Sequence, residues 1–429
     1  MANSHIITIT GMGIICSLGN TPNKFASALK QGDSGITAIN PERTGIPLNQ
    51  AALINDFNFS GALASLNLPS DILTRARKAA NRAPIVVQTA VYAALSAWQQ
   101  AQLDWEQPEL NTRTGLIIAG QSLSSRYRYD KFTRHQDDLD FLPASAGLHI
   151  LDTDLVGTIS EILQIHGPGF TIGGASASGN VGIIQGQQMV QSGLVDRCVV
   201  VGAMADLSPL EVHAWKNIGA LFNESNESKT NSIPAEQSCR PFDQDHAGFV
   251  YGQGCGCLIL ENAASAGQRQ ARQLAKLTSS ALTLDANKSA NPSVEGEIRA
   301  MSQALNQANL SPNEIDYLNS HGSSSALGDD TEIQAIEQVF GDHITQLWIN
   351  ATKGLTGHCL YAAGMIEAIA TLVQMQHGFV HPNQNLNNPN HDKARFVGNS
   401  AQPAAIKHAV SNSFGFGGIN SAIVLSRIE

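Results

Sequence analysis

Short apolar, β-prone runs alternate with helical patterns along almost the whole chain of 429 residues. The β-prone runs fall at 5–10, 114–120, 170–172, 195–202, 255–261, 275–284, 315–319 and 347–351, with a final pair across 408–428. Helical spacing is found at 21–31, 81–103, 148–166, 263–275, 295–309, 329–339 and 358–377. Residues 40–75 read as loop-rich. Strands that alternate with helices predict an α/β protein with a mainly parallel sheet system and helices on its faces.

The run Gly173-Gly174-Ala175-Ser176-Ala177-Ser178-Gly179 follows the strand-like Phe170-Thr171-Ile172 and precedes a helix that ends near Gly193. A strand, a tight glycine turn and a helix place Ser176 beside N–H groups that favour negative charge. A nucleophile elbow has this layout, although the Gly-x-Ser-x-Gly spacing is not met around Ser176. The Gly11-Met12-Gly13 turn after the first strand invites comparison with a dinucleotide fingerprint, but the third glycine is absent.

Composition excludes several classes. The net charge of -10 argues against general nucleic-acid binding, and no basic run suggests an anionic membrane surface. No apolar stretch reaches the ~18–20 residues of a membrane helix, and the first residues do not read as a leader, so a cytoplasmic protein is expected. Charged residues are only 14% of the chain, which fits extensive buried surface and an oligomer. The six cysteines lie in apolar or turn contexts, and Cys255-Gly256-Cys257 lacks metal spacing, so buried, reduced thiols and no metal site are expected. The polar stretch 121–142 reads as a solvated helical excursion, and 223–234 as a surface loop.

Three later stretches carry candidate chemistry. His321 sits at a strand end in Asn319-Ser320-His321-Gly322-Ser323-Ser324-Ser325. Lys353 and His358 flank Gly354-Leu355-Thr356-Gly357, ahead of a helix with Glu367. The turn Ser413-Phe414-Gly415-Phe416-Gly417-Gly418 puts two aromatics into a glycine-rich hairpin, where backbone packs close to a ligand. Taken singly, these are a satisfied loop histidine, a surface lysine and a flexible turn.

Together they resemble the β-ketoacyl-acyl-carrier-protein synthases of the thiolase superfamily, from Ile7-Thr8-Ile9-Thr10-Gly11-Met12-Gly13 to Phe414-Gly415-Phe416-Gly417-Gly418. Arg240-Pro241-Phe242-Asp243, Gly248-Phe249-Val250 and Pro382-Asn383 agree in order and spacing. The resemblance implies a thiolase-like five-layer αβαβα fold of two similar halves, 1–262 with Ser176 and 263–429 with His321, Lys353 and His358. It further implies a homodimer, or a closely related heterodimer, and no cofactor beyond the phosphopantetheine of an acyl carrier protein, which would enter by a tunnel. Ser176 stands where the family has its nucleophilic cysteine. His321 and His358 correspond to its catalytic histidines, Lys353 and Glu367 to supporting residues, and the Ser176 and Phe416 N–H groups to its oxyanion hole. Ser323, Ser325, Phe414 and Phe416 are expected along the tunnel. Gln253 and Ile419 also depart from the family pattern.

The missing cysteine directs the functional expectation. A thiol ionises near neutral pH beside a helix N-terminus, whereas a serine hydroxyl needs a dedicated base. Condensation should therefore be lost. Decarboxylation of a malonyl thioester needs only N–H donors for an enolate oxygen, and both histidines are kept. Serine for cysteine with both histidines retained resembles the ketosynthase-like decarboxylases of polyketide β-branching cassettes. The resemblance implies conversion of malonyl-carrier protein to acetyl-carrier protein for an HMG-CoA-synthase-like partner. Its rivals are a non-catalytic subunit like a chain length factor, and a condensing enzyme that uses Ser176 or carries an engineered serine. Arg126, Arg128, Lys131 and Arg134 are the expected carrier-docking charges. Activity is expected to fall as pH drops through the ordinary imidazole value near ~6.5.

Overall fold

The computed structural model describes residues 6–105, 111–222 and 233–428. The first five residues, read as carrying no leader, and most of the polar loop at 223–234 lie outside the described residues. No described helix is long and apolar enough to cross a membrane.

Ten strands form one continuous sheet. They are β1 (Ile7–Cys16), β2 (Thr114–Ala119), β3 (Gly169–Ile172), β4 (Arg197–Gly202) and β5 (Gly254–Asn262), then β6 (Ala275–Leu284), β7 (Tyr317–Asn319), β8 (Trp348–Asn350), β9 (His408–Gly415) and β10 (Ile419–Ser426). From the middle outward, one half runs β1-β5-β4-β2-β3 and the other β6-β10-β9-β7-β8. In both, the first strand neighbours the fifth, followed by the fourth, second and third. The pairing senses repeat as well, two antiparallel and then two parallel. The halves meet where β1 and β6 pair over Ile7–Ile9.

Two helices lie between the halves. Helix Ser178–Gln191 follows β3, helix Ala363–His377 follows β8, and each contacts strands of both halves. Their sequences explain the placement. Ala363–Met375 is buried on every face and apolar apart from Glu367, Thr371 and Gln374, as suits a helix enclosed by two layers. Helices Ile85–Gln100 and Thr153–Leu163 cover the outer face of the first half, while Val294–Ala308 and Ala326–Phe340 cover that of the second. The result is the five-layer αβαβα order.

The central helices touch at two glycines. A Cβ on Gly179 would lie 2.4 Å from the Met365 nitrogen, and one on Gly364 would lie 2.9 Å from the Asn180 nitrogen. This contact brings the N-terminal ends of both helices together, and Ser176 and His358 precede those ends.

The sheet is mixed rather than mainly parallel. A turn of only Phe416–Gly418 joins β9 to β10, and a parallel connection needs a dozen residues or more. The helical pattern at 263–275 shrinks to Ala263–Gln268, because Arg269 turns its guanidinium onto the buried Glu261 and the Ala101 carbonyl. The loop-rich 40–75 stretch contains helix Phe59–Ala64, capped by Asn58, and the start of Ser70–Ala80, whose Ile72, Ala76 and Ala80 form its buried stripe. The last helix starts at Ala363 rather than His358, since Gly357 turns at φ +64 and the His358 N–H bonds the Val250 carbonyl instead.

Gly179→Ala is expected to lower stability by about 1–3 kcal/mol through overpacking of this helix contact. A denaturant midpoint equal to that of the parent chain contradicts the placement.

Candidate active site

Ser176 lies in a tight turn between β3 and the first central helix. The preceding residue, Ala175, takes φ +49, a left-handed conformation that an alanine holds only where its surroundings fix it. Ser178 supplies that restraint. Its hydroxyl donates to the Ala175 carbonyl at 2.6 Å and accepts from the Gly174 N–H at 2.9 Å. From β9, the Ser413 hydroxyl donates to the Ser176 carbonyl at 3.1 Å. The hairpin comes this close because Gly415 carries no Cβ, which would lie 2.4 Å from the Gly174 oxygen.

His321 leaves the end of β7. Its N–H and that of Gly322 donate to the two oxygens of Glu332, at 2.8 and 2.7 Å. Asp329 accepts from the N–H groups of Ser323 and Ser324 on the same turn. Both acids sit on helix Ala326–Phe340, in its buried stripe with Ile333 and Ile336. Sequence reading passed over them. The available signal was an acidic residue at an apolar-face position of an amphipathic helix.

The hydrogen-bond partners assign both histidine tautomers. Lys353 Nζ lies 3.3 Å from His321 Nδ1, and an ammonium can only donate. His321 therefore carries its proton on Nε2. His358 Nδ1 accepts the Leu360 N–H at 3.0 Å, so its proton is also on Nε2. The rings stand edge to face with centroids 5.6 Å apart, and Phe249 stacks edge-on against His358 at 5.0 Å.

Burial drives both imidazoles well below their usual range, aided by the Lys353 charge and, for His321, by His358. Lys353 is itself buried, and its ammonium bonds the Glu367 carboxylate and the His321 carbonyl. Burial raises the Glu367 carboxyl, and Lys353 opposes that rise.

Ser176, His321, His358, Ser323, Ser325, Phe414 and Phe416 all line one pocket of about 230 Å³. Lys353 and Glu367 stand behind the histidines, outside its lining. No cysteine lines it, and all six thiols are buried and free. The Gln253 amide oxygen accepts from the Ile54 N–H at 3.1 Å, which ties two loops together. Nothing in the structure explains Ile419.

The family description "Beta-ketoacyl synthase, N-terminal domain" matches residues 5–266, and "Beta-ketoacyl synthase, C-terminal domain" matches 274–387. The chain belongs to the β-ketoacyl synthase family. It is 36% identical over 424 residues to the polyketide biosynthesis malonyl-ACP decarboxylase PksF of Bacillus subtilis (strain 168), covering 99% of this chain and 97% of that one. It is 31% identical over 439 residues to 3-oxoacyl-[acyl-carrier-protein] synthase 2 of Staphylococcus aureus (strain COL), covering all of both. Among solved structures, the ishigamide ketosynthase/chain length factor superposes with a TM-score of 0.83 at 27% identity, over 99% of this chain and 100% of that one. A ketosynthase in complex with its type II acyl-carrier protein and bound to a hexaketide, AntDE:AntF, gives 0.84 at 25%, with the same coverage.

Within this β-ketoacyl synthase framework, two neutral imidazoles each present an Nε2–H. Their depressed pKa values correct the expectation of a loss near pH 6.5, because both rings stay uncharged well below it. Below that pH the unfolded chain binds protons at these positions and the folded chain does not, so stability falls as pH drops. NMR of labelled imidazoles is expected to show both Nε2–H tautomers retained at pH values where an ordinary imidazole is already protonated. A midpoint near 6.5 for either ring contradicts the assignment.

Proposed function

We propose that the chain decarboxylates malonyl-acyl-carrier protein to acetyl-acyl-carrier protein in polyketide biosynthesis. The observation that carries this reading is the pair of neutral Nε2–H donors at His321 and His358, in one pocket with a serine that no base activates. The thioester oxygen of the malonyl group accepts from both donors. The bond between the α-carbon and the carboxylate breaks, CO2 leaves, and the electron pair is held as an enolate whose charge sits on the oxygen the imidazoles face. A fixed donor of this kind contributes about 2.7–4 kcal/mol to the barrier. The α-carbon then takes a proton from water, giving the acetyl thioester, and the hydroxide left behind is neutralised by bulk solvent. Ser176 and Phe416 both line this pocket, and in this reading their backbone N–H groups assist in holding the thioester.

Ser176 stays a neutral alcohol. His358 Nδ1 is occupied by the Leu360 N–H, and His321 Nδ1 faces the Lys353 ammonium. Neither ring has a free nitrogen to take the hydroxyl proton, and without a base a serine is a poor nucleophile. This weighs against condensation through Ser176. A non-catalytic chain-length-factor role is disfavoured too, since a subunit without chemistry has no need to bury a Lys353–Glu367 pair beside two intact histidines. The relative named malonyl-ACP decarboxylase supports the same choice.

A homodimer forms along β3, the strand at the end of the sheet, where Phe170 is exposed. Phe132, Phe141 and Leu148 are also exposed. The acyl carrier protein docks with fewer free charges than the sequence implies. On helix Ser125–His135, Arg126 is tied to Asp130 and the Gly45 carbonyl, Arg128 to the Ile150 carbonyl, and Lys131 sits 5.2 Å over the Tyr127 ring, so Lys131 and Arg134 are the cations there offered to an acidic partner. The acetyl-carrier product then passes to an HMG-CoA-synthase-like enzyme.

His321→Ala and His358→Ala are each expected to lower kcat by on the order of 10²–10³-fold, with Ser176→Ala losing less than about tenfold. The measurement is acetyl-carrier-protein formation by intact-protein mass spectrometry. Ser176→Ala as inactive as His321→Ala gives the serine a covalent role and sinks the proposal.

A further inference from the structure

Two carboxylates line the pocket without a part in this chemistry, Asp285 and Glu297. Glu297 lies in the first turn of helix Val294–Ala308 and is 1% exposed. Its Oε2 is buried with no hydrogen-bond partner. Asp285 Oδ1 accepts from the Asn420 amide at 2.7 Å and lies 3.5 Å from Arg299, while its Oδ2 has no partner. Two acids, each with one unpartnered oxygen, thus line one cavity.

Leaving a buried polar atom unpaired costs about 1–3 kcal/mol, and nearly all such atoms in folded chains find partners. Burial, followed by the Glu332, Asp285 and Asp329 carboxylates, holds the Glu297 carboxyl well above its usual range. Burial thus favours the uncharged acid form of Glu297, which has one O–H to donate and a carbonyl oxygen to accept. Its natural complement is neither a cation nor an anion. It is a neutral group that offers both a C=O and an N–H, which is a secondary amide.

Resting on the carrier-protein reading above, we propose that Glu297 is a specificity-determining residue that binds an amide of the pantetheine arm, with Asp285 Oδ2 available to accept an amide N–H. The thioester then reaches the histidines on an arm held by its amides. Glu297 acts on binding, away from the bond that breaks.

The test compares malonyl-pantetheine with the S-propyl thioester of malonate, which has no amide. In Glu297→Leu the ratio of kcat/KM for the two substrates is expected to fall about tenfold, through KM of the amide-bearing one. Glu297→Gln, which also donates and accepts without charge, keeps the ratio within about threefold. A binding readout separates this proposal from the decarboxylase reading, because it needs no turnover. The Kd of unreactive acetyl-pantetheine, measured by calorimetry, should rise about tenfold in Glu297→Leu and stay within about threefold in Glu297→Gln. An unchanged ratio or Kd in Glu297→Leu overturns the assignment. So does an equal loss on both substrates, which places Glu297 in the chemistry or the fold.

Discussion

The Lys353 ammonium is the interaction on which the site depends. It is buried, and it meets the Glu367 carboxylate, the His321 carbonyl and His321 Nδ1 at once. Burying an unpaired charge costs several kcal/mol, so the lysine and Glu367 hold each other in place. The same ammonium fixes the His321 tautomer and opposes protonation of both imidazoles. Burial first, and this cation second, keep both imidazoles in the uncharged form that offers an N–H donor. Glu332 and Asp329 complete the restraint from the other side, by holding the backbone of the His321 turn.

The repeated halves give this arrangement its geometry. Each half delivers its third strand into a central helix, and the two helices meet at Gly179 and Gly364. Ser176 precedes one helix and His358 the other, so residues far apart in sequence share one pocket. His321 arrives from the second strand of its half. Strain at Ala175 is borne by local hydrogen bonds from Ser178 and by the adjacent hairpin, rather than by a substrate.

Much of this was legible in the sequence because it rests on local pattern. Strand and helix periodicities located the ten strands of the sheet and its central and covering helices, though not Phe59–Ala64, Ser70–Ala80 or Pro209–Asn217, and the turns around Ser176, His321 and Phe416 stood out by their glycines. What the pattern could not carry was pairing sense, since a short hairpin such as Phe416–Gly418 reverses direction without changing the periodicity of its flanks. It also could not show that Arg126 and Arg128 are engaged within the fold, because a hydrogen bond to a distant carbonyl leaves no trace in spacing. The shifted imidazole titration was hidden for a related reason. It arises from burial beside Lys353, and only the folded chain brings these groups together. Glu297 escaped notice because an acid in the first turn of a helix ordinarily reads as a favourable dipole partner.

In the proposed chemistry two neutral imidazoles hold the enolate while Ser176 remains an unactivated alcohol. Its most direct test follows the masses of enzyme and carrier together during turnover of malonyl-carrier protein by the parent chain. The predicted result is loss of CO2 from the carrier, appearance of acetyl-carrier protein, and an enzyme mass that never changes. Accumulation of an acyl group on the enzyme at Ser176, or a malonyl-carrier protein that persists intact, contradicts it.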